Sequence, residues 1–410
     1  MKGLLQIHDP QKPRGQAIGI DLGTTHSLVA AVVSGKPECI IVDQDDSLLL
    51  PSVVNYASNG SVLVGQQALA QIVSSPSDTI RSIKRLMGRS PSEITSAEIA
   101  PYRLHPSKGI VRLEVAGGHP VTPIEVSGEI LRTLKRRAEV RFSSKIDQAV
   151  ITVPAYFDDA QRQATKDAAR LAGIEVLRLL NEPTAAALAY GLEKSAQGLY
   201  AIYDLGGGTF DISILELIDG VFQVKSVGGN SALGGDDFDR AIVDHLLQLW
   251  QVAQPTAAQT AALRLEARHL KEQLTLSEEV TIQFNDLTAT LKRAKFEALI
   301  SQLVEKTGAA VRRALKDAGL VASDVKGVVL VGGSTRVPAV KRYVAELFGQ
   351  EPLADIDPDR VVALGAAISA DLLNNESRQD EILLLDVIQL SLGLETKGGV
   401  VEKLIEPNST

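Results

Sequence analysis

Among the 410 residues there is a single cysteine, Cys39. No disulfide can close within the chain and no cysteine-based metal cluster can form, a usage that suits a reducing cytosol. No run of 18 apolar residues occurs, as a transmembrane helix would need. The stretch from Met1 to Gly15 carries charges and two prolines and lacks the apolar core of a secretory signal. Basic charge is not in excess. The 42 Lys and Arg face 50 Asp and Glu, a net charge of −8, which gives no electrostatic footing to nucleic acid or an anionic membrane. Two familiar phosphate-binding signatures are also missing: there is no G-x-x-x-x-G-K-S/T, and no G-x-G-x-x-G follows a strand pattern. Neither a P-loop nor a dinucleotide fold accounts for the glycines.

What is present is an ordinary globular composition, 45% apolar and 22% charged, on a chain long enough for two or three compact units. Two segments about half a chain apart resemble each other. Ala17-Ile18-Gly19-Ile20 leads into the turn Asp21-Leu22-Gly23-Thr24-Thr25 and the apolar run Ser27 to Val33. Leu199 to Tyr203 leads into Asp204-Leu205-Gly206-Gly207-Gly208-Thr209 and the run Ile212 to Leu217. Each reads as a β-hairpin, and the repetition predicts a duplicated fold with two similar lobes.

Strands alternate with helices elsewhere, which argues for an α/β architecture. Asp158 with Gln161 reads as a helix start, Ala160, Ala164, Ala168 and Leu171 as one apolar face, and Gly173 as the stop. A strand, Val176 to Leu180, then runs into Asn181-Glu182-Pro183 and a helix, Thr184 to Tyr190, with Pro183 in its first turn. Val325 to Val331 reads as a buried strand, followed by Gly332-Gly333-Ser334-Thr335-Arg336 and a helix from Val337 to Phe348 closed by Gly349. From about Asp237 to Leu299 long helical patterns dominate, such as Ala261 to Leu276, which suggests a helical insertion in the second lobe. The polar stretch Asn374 to Glu381 leads into Ile382-Leu383-Leu384-Leu385-Asp386, after which the remaining 24 residues allow two strands at most.

Several residues can carry chemistry. A turn of the Asp-Leu-Gly-x-x-Thr kind presents backbone N–H groups with little obstruction and so makes an anion-binding concavity. Its Thr hydroxyls add donors, and its leading carboxylate can hold magnesium through water. One such turn is weak evidence; two copies point to phosphate. Glu182 stands where a strand meets a helix, the edge at which open α/β sheets place ligand groups, although a carboxylate is also at ease at any helix N-terminus. Lys84, in a basic amphipathic stretch, reads on local grounds as a solvated lysine. Asp211 is either functional or a turn-stabilising aspartate. Gly332-Gly333 with Arg336 either lets backbone approach a base, with a guanidinium flat against it, or makes a plain strand-to-helix turn.

Taken together, Ile18 to Thr25, Val153-Pro154-Ala155-Tyr156-Phe157, Asn181 to Ala187, Asp204 to Asp211 and Leu233 to Asp239 resemble the seventy-kilodalton heat-shock chaperones. The resemblance runs from about residue 17 to the end. Within that family, Leu4 to Ile7, Leu49 to Val54, Lys84 to Ser90, Ser231 to Asp237 and Ser391 to Thr396 look like the bacterial branch dedicated to iron–sulfur cluster assembly.

The resemblance implies a duplicated actin-like ATPase fold: two lobes around a nucleotide cleft, with a helical insertion in lobe II. It places an extension at 1–16 and the ATPase domain at 17–380, with lobe I at about 17–192 plus 366–380 and lobe II at about 193–365. A linker follows at 381–391, then the start of a substrate-binding β-domain at 392–410. ATP or ADP, Mg2+ and K+ are the implied cofactors. A J-domain co-chaperone and an iron–sulfur scaffold, or another client peptide, are the implied partners, in the cytoplasm. Asp21 and Asp204 resemble the carboxylates that hold hydrated magnesium. Gly23, Thr24, Thr25, Gly206, Gly207, Gly208 and Thr209 resemble the phosphate cradle, with Thr209 also among the catalytic group. Lys84 resembles the lysine that positions the attacking water, and Glu182 and Asp211 the carboxylates that orient it or take its proton. His26, Gly234, Gly235, Lys271, Thr275, Gly332, Gly333, Ser334, Arg336 and Asp359 fall at nucleotide-contact positions. Pro154, Arg162 and the linker residues Leu383, Leu384, Leu385 and Asp386 match a relay between domains.

Some positions depart from the family pattern. His26 replaces Asn beside the phosphate loop, Arg268 and Thr275 replace Glu and Ser near the adenosine, and Gln389 replaces Pro after the linker. Read without the family, Leu383 to Leu385 would be a strand of the next domain. As a linker it is nearly balanced, since burying three leucines gains roughly 1.5–3 kcal/mol each and ordering costs roughly 1–2 kcal/mol per residue. Such an element can be moved by nucleotide state. A general folding chaperone, a metabolite kinase and a filament protein on the same fold are the competing readings. A kinase has no use for the leucine tether, and a filament needs self-complementary surfaces.

Overall fold

The structure is a computed structural model that describes residues 16–41, 47–95, 99, 101–116, 118–194, 197–218, 221–353, 356–375, 383–385, 387, 391–396, 401–406 and 409. The extension through residue 15, most of the polar stretch before the leucines, Asp386 and Gln389 lie outside the described residues, as does the side chain of Leu383.

Lobe I is built on β1 (Ala17–Asp21), β2 (His26–Val33) and β3 (Lys36–Cys39), an antiparallel meander. Helix α1 (Pro123–Phe142) carries the chain over to β4 (Gln148–Val153), which lies parallel beside β1. Helix α2 (Asp159–Leu171) then leads to β5 (Glu175–Asn181), parallel to β4. Both helices begin on a capping box, Thr122 with Glu125 and Asp158 with Gln161, so their first orphan N–H groups are satisfied locally. The buried face of α2 is Ala164, Thr165, Ala168 and Ala169. Leu171, expected on that face, is 51% exposed, and Ala160 is exposed too. The helix enters the lobe only after its first turn, so the buried stripe is short and lies to one side of the expected one.

Helix α3 (Glu182–Lys194) leaves lobe I and leads to β6 (Gly198–Leu205), β7 (Phe210–Ile218) and β8 (Val221–Asn230), a second antiparallel meander. Next come α4 (Gly235–Leu249) and α5 (Ala257–Leu276). The expected helical insertion is interrupted at this point by a hairpin, β9 (Glu279–Phe284) and β10 (Leu287–Lys292), before α6 (Arg293–Asp317). Its signal was present: Val280, Ile282, Phe284, Leu287, Ala289 and Leu291 alternate around a two-residue Asn285-Asp286 turn, with Asn285 left-handed at φ 53°. Strand β11 (Gly327–Val331) lies parallel beside β6, which repeats the β4–β1 arrangement of lobe I. Helix α7 (Pro338–Phe348) follows and stops at Gly349, φ 67°.

Helix α8 (Val361–Asn374) returns to lobe I and packs across β1, β2 and α3. It joins the two lobes through one apolar cluster containing Ala17 and Val150 of lobe I, Ala185 and Leu188 of α3, Ile202 and Val329 of lobe II, and Val361 of α8. The approach is close: a Cβ on Gly365 would stand 1.7 Å from the Ala185 carbonyl oxygen, and one on Gly19 would stand 2.1 Å from the Ala367 nitrogen. Strand β12 (Leu383–Leu385) extends the lobe II sheet as a parallel neighbour of Val221–Gln223 in β8. The leucines thus belong to the edge of this sheet. The later strands Leu392–Glu395 and Val401–Ile405 pair with each other.

An exposed helix gains about 1 kcal/mol from Gly→Ala, but Gly365→Ala has the opposite sign because its methyl meets fixed backbone. The expected loss is about 1–3 kcal/mol or more, read as an earlier midpoint in urea unfolding. An unchanged or later midpoint would show that the α3–α8 crossing has slack.

Candidate functional site

The two hairpin turns face each other across the cleft. In lobe I the Ser52 hydroxyl donates to the Gly23 carbonyl at 2.8 Å, and the Ser52 amide donates to the Thr25 carbonyl at 2.9 Å. Thr152, on the parallel strand β4, donates its hydroxyl to Asp21 Oδ1 at 3.0 Å. In lobe II the Gly206 amide donates to the Thr209 carbonyl at 3.1 Å, closing the second turn. A Cβ on Gly207 would lie 1.7 Å from Thr25 Oγ1, and one on Gly208 would lie 2.6 Å from Thr24 Cγ2. Gly234 and Gly235 pack onto the same loop: the Gly235 amide donates to the Gly206 carbonyl and the Asp236 amide to the Gly207 carbonyl. Ser334 Oγ donates to the Gly206 carbonyl at 2.9 Å, and Lys271 Nζ to the Gly235 carbonyl at 3.2 Å. Residues widely spaced in sequence thereby form one glycine-lined surface.

At its base sits a charge cluster that local reading missed. Lys84 is buried, 6% exposed, and donates to Glu182 Oε1 at 2.5 Å; it is no solvated lysine. Burial, the largest single influence, disfavours its charge, but Glu182, Asp21 and Asp204 outweigh burial and raise its pKa. One cation faces four carboxyl groups, of which Glu182, Asp204 and Asp211 are buried and Asp21 is half-buried. Burial, then Glu182, pushes Asp21 up to about 7. Burial and Glu182, followed by Asp21, hold Asp204 well above the carboxylate range, and burial, Glu182 and Asp204 do the same for Asp211. Both oxygens of Asp211 are buried without a hydrogen bond, as is Thr25 Oγ1, so Asp211 does not stabilise its turn. Acceptors clustered in excess beside an unused hydroxyl and a backbone cradle fit a hydrated cation and the phosphates it carries. Among the described residues no three carboxylate, histidine or cysteine groups converge closely enough to ligate a metal directly.

The remaining candidates fall around this centre. Gly332 is left-handed, φ 83°, and a Cβ there would meet the Leu205 carbonyl at 2.5 Å. Arg336 is held as a fork by Asp359 Oδ2 at 2.7 Å and Asp357 Oδ1 at 2.5 Å. Lys271 pairs with Asp239 at 2.6 Å, and Thr275 donates to the Lys271 carbonyl on the same helix. His26 Nε2 meets Arg268 Nη2 at 3.3 Å across the cleft. Burial first and Arg268 second push the pKa of the ring down to about 4, so at neutral pH it is uncharged and accepts from the guanidinium, while Arg268 Nε is held by Glu272 at 3.0 Å. Arg162 donates to Asn181 Oδ1 at 2.7 Å and to the Phe157 carbonyl at 2.9 Å, which ties the loop after buried Pro154 to the strand end before Glu182. Leu384 packs against the shared core, whereas Leu385 is 37% exposed.

Sequence reasoning passed over Thr152, Ser52, Tyr156 and Arg85. Tyr156 hydrogen-bonds Thr209. Arg85 crosses the cleft to Asp237 at 3.2 Å, and its buried Nε, beside Gly208, has no hydrogen-bond partner. Ser82 likewise crosses to Asp236 at 2.7 Å. None of these has a local sequence signal, because each is defined by a partner from the other lobe or from a neighbouring strand.

Two lobes of one topology, each bringing an Asp-Leu-Gly turn to a shared cleft, define a class of two-lobed α/β proteins with a duplicated fold. The family model described as Hsp70 protein matches residues 17–410. The chain belongs to this family of chaperones, whose ATPase domain has the actin-like fold. It is 53% identical over 418 residues to a chaperone protein HscA homolog of Azoarcus sp. (strain BH72), covering 99% of this chain and 67% of the relative. HscA homologs of Bordetella pertussis and Burkholderia multivorans are 54% and 53% identical over the same shares. The chain thus spans about two thirds of the length of these relatives. Among the described residues no helix is long and apolar enough to cross a membrane.

Because folding raises the Asp21 pKa from 3.8 to about 7, the folded state prefers the protonated form, and nucleotide-free stability falls as pH rises across that window. Asp21→Asn removes this penalty. In thermal melts without ligand at pH 7.5 the variant is expected to be more stable by on the order of 1–3 kcal/mol. A variant less stable without ligand would mean that the carboxylate is not under strain.

Proposed function

We propose that the chain hydrolyses ATP to ADP and phosphate and uses the nucleotide state to govern client binding in iron–sulfur cluster assembly. The observation that carries this reading is the buried Lys84–Glu182 pair, ringed by Asp21, Asp204 and Asp211 at the meeting point of two phosphate-type turns. In phosphoryl transfer the protein chiefly positions groups and stabilises charge. Magnesium, held through its waters by Asp21 and Asp204, would neutralise charge on the phosphates. The amides of Gly207 to Thr209 and Gly23 and the hydroxyls of Thr24, Thr25 and Thr209 donate to phosphate oxygens, while the Gly206 amide holds the turn closed on the Thr209 carbonyl. Lys84, kept charged and in place by Glu182, orients the water that attacks the terminal phosphorus as the bond to the ADP oxygen breaks. Asp211, whose pKa is raised and whose oxygens are unbonded, takes the proton that this water loses. His26, Gly234, Gly235, Lys271, Thr275, Gly332, Gly333, Ser334, Arg336 and Asp359 receive the rest of the nucleotide, and K+ is a further cation for the same cleft.

The chaperone part of the reading rests on the leucine strand at the edge of lobe II and on the HscA homologs. Docked there, β12 can respond to changes around β8, and the bonds of Arg162 to the Phe157 carbonyl and to Asn181, next to Glu182, support a relay role for Pro154 and Arg162. A J-domain co-chaperone, an iron–sulfur scaffold client, the domain limits given above and a bacterial cytoplasmic setting belong to this proposal.

Lys84→Ala is expected to lower single-turnover hydrolysis at least ~100-fold while ADP still binds in calorimetry; hydrolysis at the parental rate would remove Lys84 from the mechanism. Turnover should need no acceptor molecule and should rise when a J-domain protein is added. Replacing both Leu384 and Leu385 with Asp should abolish that stimulation without changing the basal rate. Full stimulation in the double variant would show that β12 is only a structural strand.

A further inference from the structure

Beyond the Ser82–Leu86 turn, away from the carboxylate cluster, lies a cavity of about 200 Å³. This is many times the roughly 10–15 Å³ that one water needs. Its walls come from both lobes. Lobe I supplies Ile72, Pro76, Pro101, Tyr102 and Arg81, and lobe II supplies Pro255, just before α5, with Thr260, Ala261 and Arg264 from the first half of that helix. None of these is among the residues assigned above to nucleotide.

The lining combines two properties. Three prolines, Ile72 and Ala261 make most of it apolar and rigid, since proline rings have a fixed φ. Tyr102 is fixed as well, its hydroxyl accepting from the Arg81 amide at 2.8 Å and donating to the Arg81 carbonyl at 3.4 Å. Against this wall stand two guanidinium groups of like sign. Burial first, then Arg81 and Arg240, lower the Arg264 pKa against the opposing pull of Asp236. Among the described residues neither the Arg81 nor the Arg264 guanidinium makes a hydrogen bond or an ion pair within 4 Å. Asp236, the carboxylate they feel, already accepts from Ser82 Oγ at 2.7 Å and also feels Arg85. The local charge is Arg81, Arg85, Arg240 and Arg264 against Asp236 and the Arg-paired Asp237, a positive balance. A preformed apolar cavity with two unpaired guanidinium groups is complementary to a carboxylate on a compact apolar body.

We propose that this cavity is a second ligand site, for a small aromatic or branched aliphatic carboxylate, and that its occupant clamps lobe I to lobe II. A ligand touching both walls makes all of its contacts only when the lobes stand as they do here, so it favours that arrangement over any more open one. The clamp, though not the site, rests on the nucleotide reading above. If the cleft between the same lobes holds ADP, the two ligands stabilise each other's binding by reciprocity.

The test uses naphthalene-2-carboxylate as the probe and its uncharged carboxamide as the control, by calorimetry on the 410-residue chain. The acid is expected to bind one-to-one with a Kd between roughly millimolar and micromolar, as suits so small a ligand, and the amide at least ~10-fold more weakly. Arg264→Ala should remove the preference for the acid, and Thr260→Trp, which fills the cavity, should remove binding of both. Arg264→Lys, which keeps the charge without the fork, should restore part of it and guards against a fold defect in the alanine variant. Equal binding of acid and amide, or binding indifferent to both Arg264→Ala and Thr260→Trp, would overturn the site. In the second arm, saturating acid should slow release of a fluorescent ADP several-fold in the parent and not in Arg264→Ala. Acid binding with unchanged release would overturn the clamp and leave the site standing. Failure of ADP to bind at all would tell against the nucleotide reading and not against the cavity.

Discussion

One ammonium group set among four carboxyl groups, three of them buried, is the constraint around which this protein is organised. Lys84 and Glu182 would each be costly to bury alone, and together they still leave Asp21, Asp204 and Asp211 with raised pKa values. Such a cluster is not built for the stability of the empty domain. It makes sense where a cation and an anionic ligand complete the charge balance, and the rest of the architecture serves to bring those five side chains together. Asp21 and Asp204 come from the first strands of two meanders, Asp211 from the strand after the second turn, Glu182 from the start of a helix, and Lys84 from a short turn across the lobe.

Two close approaches make that convergence possible. The crossing of α3 and α8 merges apolar side chains from both sheets into one cluster, and Gly365 and Gly19 are needed there because backbone, not side chain, occupies the neighbouring space. The second approach is between the turns, where Gly207 faces Thr25 and Gly234 faces Gly207. The first joins the lobes through apolar surface at their base. The second leaves them meeting through polar contacts, with Ser82, Arg85 and His26 reaching across to Asp236, Asp237 and Arg268. Apolar packing is hard to open, and partly exposed polar contacts are easier to exchange. The lobes are thus joined by apolar packing at the base and by polar contacts at the rim.

Much of this was legible before any coordinates. The hairpins over Ala17–Val33 and Leu199–Leu217, the capping box at Asp158, the strand-to-helix change at Glu182 and the stop at Gly349 depend on neighbours within a few residues. Their hydrogen bonds and steric limits are therefore written locally. The β9–β10 hairpin was equally local and was obscured by stronger helical periodicity on both sides. Leu171 differed because the helical pattern states that a face exists, not where the lobe ends beneath it. Lys84 differed most: its surroundings in sequence are basic and amphipathic, while its surroundings in space are acidic and dry.

By itself the sequence determined the paired Asp-Leu-Gly turns, the glycines that keep them open, the absence of disulfide and P-loop solutions, and membership in a chaperone family. Only the tertiary structure decided that Lys84 is buried against Glu182, that Asp211 is left without a partner, that Arg85 and Arg268 cross the cleft, and that Arg81 and Arg264 share an apolar cavity. The physical reason is the range of the forces involved. Turn and cap geometry is settled by adjacent backbone, whereas desolvation and Coulomb energy sum over every segment that folding brings near, whatever its distance along the chain.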